Sequence, residues 1–452
     1  MKKTLFFLAI IFCTNLNAQF TKLHDFDSIN GRGPFGSLFF DNTFLYGMSN
    51  LGGAFDKGTL FKIMPNGTNY NTLIDFEGTT TNGSQPQGSL ISDGTFLYGM
   101  TVSNIFKVMP DGSNFTIILN FNSITGSNPY GALFYDGTFL YGMTISGGTY
   151  GDGTIFKVMP DGTNYTKLHD FGLGSFDGKR PRGSLILNGT FLYGMTCEGG
   201  FFDFGTIFKI MPNGTGYTKL FDFDGVNGEA PYEDLISVGT FFYGITSYGG
   251  INNVGTIFKI LPDGTGYTKL HDFDNINETV PHGALISDGN FLYGMTYAGG
   301  SNGVGAIFRI MTDGTGYTKL HDFDIINGSI PRGSLISDGN SFYGITVYGG
   351  TNNFGTIFKF HDNTIGIEEI INADVSIYPN PSNNSFIFKT SNFIGNTMLV
   401  YNMLGKEVYK TTIIKSTTTI PVNELGNEGV YLLKTINKNT NEIRTSRLVV
   451  TK

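Results

Sequence analysis

The side chains able to do chemistry in this 452-residue chain fall into three groups. They are six histidines, one Glu-Asp pair, and a set of aromatic, cationic and amide residues that each follow a proline. Histidines and paired carboxylates serve metal ligation and general acid–base catalysis. Four of the histidines, His24, His169, His271 and His321, sit in the phrase Leu-His-Asp-Phe. The chain places Ile74, Leu119 and Phe221 at the same point of related phrases. A position shared with three apolar residues is a packing position, so no metal role is expected there. The next residue is Asp in six of seven copies (Asp25, Asp75, Asp170, Asp222, Asp272, Asp322). It is expected to cap a turn or to accept bonds from backbone amides. The acidic run from Asp272 to Asn277 lacks the spacing and closing Glu of a calcium loop. No cofactor is expected.

The Glu-Asp pair lies in Pro231-Tyr232-Glu233-Asp234-Leu235, where the other copies read Pro-x-Gly-Ser-Leu or Pro-x-Gly-Ala-Leu. Paired carboxylates can hold a cation or exchange protons. Successive strand residues face opposite ways, so Glu233 and Asp234 are not expected to converge, and no catalytic residue is assigned. The residue after the proline is Phe35, Gln87, Tyr130, Arg182, Tyr232, His282 or Arg332. It changes from copy to copy while its neighbours barely move. Repeats act as their own control: a constant residue is structural, and a variable one at a fixed place can face a ligand. This mixture suits a sugar or a peptide. The seven residues, with Glu233, form the expected ligand-binding set. Cys13 and Cys197 offer neither a disulfide framework nor a cysteine-based zinc site, and Cys197 is read as a small packing residue. No serine elbow, P-loop or dinucleotide fingerprint occurs in a strand–turn–helix setting.

The elements that must position these residues are tandem repeats. The phrase Phe-Leu-Tyr-Gly-Met-Thr recurs with its Gly at Gly47, Gly99, Gly142, Gly194, Gly244, Gly294 and Gly344, at intervals of 43 to 52 residues. Gly-Thr-Ile-Phe-Lys, Tyr-Thr-Lys-Leu-His-Asp-Phe and Pro-x-Gly-Ser-Leu recur with it. Each repeat therefore holds four apolar runs of strand length. Asp-Gly and Pro-Asp-Gly turns, as at Asp93-Gly94 and Pro160-Asp161-Gly162, close tight hairpins between them. The runs do not alternate strictly, so both faces of each sheet should be covered. Four antiparallel strands every fifty or so residues make one propeller blade. The array opens with a lone fourth-type strand, Phe20 to Phe26, and ends after a third-type strand at Phe360. Joining the two would complete a seventh blade and cover two open edges. The expected fold is thus all-β: a seven-bladed β-propeller over 19–360, closed by its N-terminal strand. The long fourth-to-first and second-to-third connections fall on one rim, which is the expected working face. The second repeat lacks its Gly-Gly loop between Met100 and Ile105, which should notch that rim.

The ends differ from the repeats. Residues 1–18 read as a signal peptide: Lys2-Lys3, an apolar run from Leu5 to Cys13, and a small-residue exit at Ala18. No later run approaches the roughly 18 apolar residues of a membrane helix. Residues 361–373 read as a linker, and 374–452 as a small β-sandwich with strands near 385–389, 398–401, 407–412 and 430–435. The net charge of −8 makes nucleic acid an improbable partner. A monomer is expected.

Two resemblances follow. Residues 374–452 resemble the C-terminal sorting domain of the type IX secretion system, through Ile377-Tyr378-Pro379-Asn380-Pro381, Val400-Tyr401-Asn402-Met403-Leu404-Gly405-Lys406-Glu407-Val408 and Gly429-Val430-Tyr431-Leu432-Leu433-Lys434. The resemblance implies that the type IX machinery is a partner and that the chain is released outside the cell or held at its outer surface. Residues 20–360 resemble the glycine-rich extracellular repeats called GloVer repeats, through Tyr-Gly-Met-Thr, Gly-Gly and Gly-Thr-Ile-Phe-Lys. That family brings no chemistry with it. The expected function is a secreted or surface module that binds a glycan or a protein. The alternatives are a carbohydrate-active lyase or hydrolase using Glu233, Asp234, Arg182 or His282, and a structural surface protein.

Overall fold

The computed structural model describes residues 19–274, 278–362, 375–378, 382–390, 394–402, 406–426, 429–436 and 443–450. The segment expected to be a signal peptide, most of the expected linker, and Asn275 to Asn277 of the acidic run lie outside them. Residues 18–361 form one compact unit, and the C-terminal segment belongs to another.

Each of the first six repeats folds as an antiparallel four-stranded sheet, its strands in sequence order. In the fourth repeat the strands are Ile186–Asn188, Phe191–Thr196, Thr206–Ile210 and Thr218–Asp222. Among the described residues there are six such sheets and a seventh of five strands, in which Ser329–Pro331 and Ile336–Ser337 both pair with Phe342–Tyr348; the whole is all-β and propeller-like in build. In the last, the fourth position is taken by Gln19–Asp25, which pairs with Thr356–His361 in the register Phe20↔Phe360 and Thr21↔Lys359. The third strands are buried on both faces over their first five residues, with only the fourth, Lys or in one repeat Arg309, partly exposed. All seven carry a bulge at the same point of the third-to-fourth pairing, which adds twist to each sheet.

The Gly of Phe-Leu-Tyr-Gly-Met has a packing reason. A Cβ on Gly194 or Gly244 would lie 2.7 or 2.6 Å from Cζ of Phe208 or Phe258, the ring of the paired third strand. The phenyl ring covers the second strand there, and only a missing side chain makes room. The cores lie between sheets. Tyr46, Met48 and Leu60 of the first repeat pack with Leu90, Leu97 and Phe106 of the second. Leu38, Leu45 and Phe61 of the first pack with Tyr343, Ile345 and Ile357 of the last.

The four histidines are used in this packing. His24, His169 and His271 stack on Tyr70, Tyr217 and Tyr317 of the next repeat with centroids 3.7–3.9 Å apart. His321 stacks on Phe20 at 4.1 Å. Phe221 makes the same stack with Tyr267 at 4.2 Å. Burial lowers the pKa of His24, His271 and His321 below its ordinary value. The Asp after each histidine position ties the fourth strand to the second-to-third loop. Asp170 accepts from the Thr149 N–H, Asp272 from Ile251, and Asp25 from Thr351 (2.9, 2.9 and 3.0 Å).

The structure corrects the first strand. Gly-Ser-Leu does not pair within its own sheet in most repeats; regular pairing begins later and spans two or three residues, as at Phe39–Phe40 or Ile236–Val238. The sixth repeat departs, with a ten-residue strand Glu278–Ser287. The reason is a different use of the backbone. The N–H of Ser37 bonds Oγ of Ser89, Ala132 bonds Ser184, Ala284 bonds Ser334, and Ser334 bonds Ser37 (2.7–2.8 Å). These amides serve the seam with the next sheet instead of the ladder of their own.

In the C-terminal unit, Val375–Tyr378, Ser385–Thr390 and Thr417–Pro421 form one antiparallel sheet. Thr397–Asn402, Glu407–Thr412, Gly429–Ile436 and Ile443–Val450 form another. Phe386, Phe388, Met398, Val400 and Leu433 fill the core of this unit. The sequence reading did not name Val375–Tyr378, Thr417–Pro421 or Ile443–Val450 as strands; the first is only four residues long, and the Thr- and Arg-bearing runs of the other two lack apolar alternation. Among the described residues no helix is long and apolar enough to cross a membrane.

Candidate functional site

The short approach segment before each first strand brings the variable residues together. Gly36 lies so close to Gly88 that a Cβ would meet its carbonyl oxygen at 2.2 Å, and Gly88, Gly131 and Gly333 stand likewise against Gly131, Gly183 and Gly36. Glycine is needed because backbones touch there. With the inner turns this tight, the residue before each Gly projects into a common space. Phe35, Gln87, Tyr130, Arg182, Tyr232, Glu233, His282 and Arg332 all line one cavity of about 220 Å³.

Within it, cations and rings alternate. The Arg182 guanidinium lies over Tyr232 at 4.4 Å and near Tyr130 at 5.4 Å. Arg332 lies over Phe35 at 4.9 Å and Tyr297 at 5.2 Å. Tyr232 stacks with His282 at 5.8 Å, and His282 Nδ1 meets Glu233 Oε1 at 3.0 Å. Burial raises the Tyr232 phenol, with Arg182 opposing.

Glu233 and Asp234 part company, as expected, although they lie before the strand Ile236–Val238 and not on it. Glu233 turns to His282, while the Asp234 carboxylate accepts the Ser184 N–H. Asp234 thus fills the seam position held by serine in other repeats. The residue as a whole is half-buried, but its carboxyl is enclosed, and burial pushes it up to about 6, aided by the Glu233 charge and opposed by the Ser184 amide. Cys197 is buried and donates to the Arg180 carbonyl at 2.9 Å, and burial pushes its thiol up to about 12. Among the described residues no group of three or more His, Cys, Asp or Glu is placed to hold a metal.

Two residues at the site escaped the sequence reading. Tyr248 lines the cavity, and Tyr297 touches both Arg332 and His282. Tyr297 shares its repeat position with Cys197, Ser247, Val347 and Ile145. That variability was the available signal, but it was read as packing at Cys197. The second repeat has the short connection its sequence implies: it turns from Met100 to Asn104 through a tight bend, with the Thr101 N–H on the Asn104 carbonyl at 2.8 Å.

The profile of the Gloeobacter/Verrucomicrobia repeat matches residues 9–104, 102–291 and 237–402. That of the secretion system C-terminal sorting domain matches residues 376–451. No curated protein matches the sequence. Among solved structures, the extracellular domain of a one component system from B. thetaiotaomicron is 12% identical over 93% of this chain and 57% of its own, with a TM-score of 0.52. Oligogalacturonate lyase from Vibrio parahaemolyticus is 12% identical over 76% of this chain and 97% of its own, with a TM-score of 0.50. PorZ, a surface component of the type IX secretion system of Porphyromonas gingivalis, is 14% identical over 94% of this chain, with a TM-score of 0.46. This chain spans 60% of the PorZ chain. At such identities the first two show a shared fold and nothing more. The chain belongs to the Gloeobacter/Verrucomicrobia repeat family and carries a type IX secretion C-terminal sorting domain, which marks it for export to the cell surface or the extracellular space.

Proposed function

We propose that residues 19–360 close into a seven-bladed ring, and that the ring is a non-enzymatic binding module for a glycan or protein ligand, joined by a linker at 361–373 to the export domain at 374–452. Closure is supported by the pairing of Gln19–Asp25 with Thr356–His361 and by the Ser334 to Ser37 bond. The observation that carries the binding reading is convergence. The residues that vary at one repeat position meet in one cavity, whereas the invariant ones are consumed by seams and cores. A rigid backbone ring presenting diverse side chains is how scaffolds specify ligands.

The test is an array of glycans and surface proteins probed with the full chain, with turnover assays alongside. A bound partner is expected to lose at least tenfold in affinity with Tyr130→Ala plus Tyr232→Ala, since buried aromatic anchors contribute about 2 kcal/mol or more. Unchanged affinity in that variant refutes the mouth as the site. One contact favours the enzymatic alternative, the Glu233–His282 pair in the cavity. Product formation that Glu233→Gln abolishes would establish that reading instead.

A further inference from the structure

The arginines of the mouth are held differently from Arg32 and Arg180. Arg32 is bonded to Asp56 through Nε and Nη2, and Arg180 to Glu198. Among the described residues Arg182 and Arg332 have no carboxylate partner, and the Nε of each is buried without a hydrogen-bond acceptor. The guanidinium carbon of each lies over a ring, Arg182 over Tyr232 and Arg332 over Phe35. A guanidinium on a ring face offers its N–H fork edgewise, the geometry that takes a carboxylate through two bonds. Leaving such donors buried and unbonded is costly, and an unsatisfied polar group in a cavity calls for an absent acceptor.

The pairing within the cavity points the same way. Glu233 bonds His282 and Asp234 accepts the Ser184 N–H, so neither carboxylate of the lining is paired with Arg182 or Arg332. The two arginines stand on the fourth and seventh repeats, so they can engage separate anionic groups of one ligand.

The remaining lining selects the class of anion. Gln87 and the phenols of Tyr130 and Tyr232 are neutral hydrogen-bonding groups, and glycine backbone lies between them. Hydroxyl-rich ligands need such mixed donors and acceptors. A peptide needs apolar anchor pockets, and the large aliphatic side chains that would form them do not line this cavity; Phe35 is covered by Arg332.

We propose that the mouth takes an acidic glycan, with Arg182 and Arg332 binding uronate carboxylates. This rests on the mouth being the binding site. The experiment is calorimetry on the full chain with three probes: an oligoglucuronate, the same oligosaccharide with its carboxyls reduced to neutral hydroxymethyl groups, and an oligoglutamate peptide. The oligoglucuronate is expected to bind, and carboxyl reduction to weaken it at least tenfold. Arg182→Gln and Arg332→Gln should each weaken it about tenfold or more, as loss of a charge-assisted hydrogen bond does. Arg182→Lys should fall between, because it keeps the charge and loses the fork; it also serves if the Gln variant melts early. Rising salt should weaken the wild-type complex.

Equal binding of the reduced oligosaccharide, or arginine variants that bind like wild type, overturns the proposal. So does absence of oligoglucuronate binding, or binding of the oligoglutamate alone. Neutral-glycan binding that Tyr130→Ala plus Tyr232→Ala removes would leave the mouth standing and discard only the carboxylate. Oligoglucuronate binding untouched by both the tyrosine and the arginine changes would discard the mouth as well.

Discussion

Asp234 occupies a place that serine fills in four other repeats and alanine in two. Its amide partner, the Ser184 N–H, is of the kind that Ser Oγ satisfies elsewhere. The carboxylate therefore adds a buried charge without adding a new bond. Its pKa of about 6 in the folded state lies above the ordinary 3.8, so the folded chain holds this proton more tightly than the unfolded one. The stability from the protonated form is fully present below about 4 and is lost as pH rises through 6. Asp234→Ser should stabilise the chain at pH 8 by about 1–2 kcal/mol, discounted for the exposed part of the residue, with a smaller gain at pH 4. Urea titrations at the two pH values decide it, and equal gains would refute the burial account.

The individual sheet depends on close fits that its repeats share. Gly244→Ala places a methyl against Phe258, and overpacking of this kind costs about 1–3 kcal/mol. Phe258→Leu in the same chain should recover part of that loss, because it removes the clashing Cζ; thermal melts of the single and double variants measure both. The inter-sheet stacks give a second handle. His271 has its pKa lowered by burial, so the neutral ring is the one that fits. The stability it contributes is present above 6.5 and is lost as pH falls through the lowered value. His271→Phe copies the stack of Phe221 on Tyr267. It should reduce the fall in melting temperature between pH 7.5 and pH 5.5, and a variant as acid-sensitive as wild type would contradict the assignment.

At the scale of the molecule, the proposed ring is held where the first strand meets the last. Thr21 and Lys359 are direct cross-strand partners, and such pairs lie within the Cα separation that a disulfide spans. Thr21→Cys with Lys359→Cys should oxidise to an intrachain bridge in a monomer and raise the melting temperature. Buried Cys197 is the one other thiol among the described residues and is shielded from exchange. Intermolecular bridges would indicate an open array. Removing residues 374–452 should leave the repeats folded, since they form their own compact unit, while retaining the chain inside the cell; fractionation shows which.

The sequence by itself determined the repeat period, the second, third and fourth strands, the export domain and the variable residues of the mouth. These depend on patterns within one repeat or on comparison between repeats, and short-range apolar runs and turn residues encode both. Only the tertiary structure decided that Gly-Ser-Leu bonds across the seam, that His24 and its counterparts stack on the next repeat's ring, that Glu233 turns to His282, and that Arg182 and Arg332 lie unpaired on rings. Each is a contact between residues of different repeats, about fifty positions apart in the chain or, where the last sheet meets the first strand and first repeat, about three hundred. Local periodicity fixes which face of a strand a side chain takes, but the offset between adjacent sheets fixes which side chain it meets.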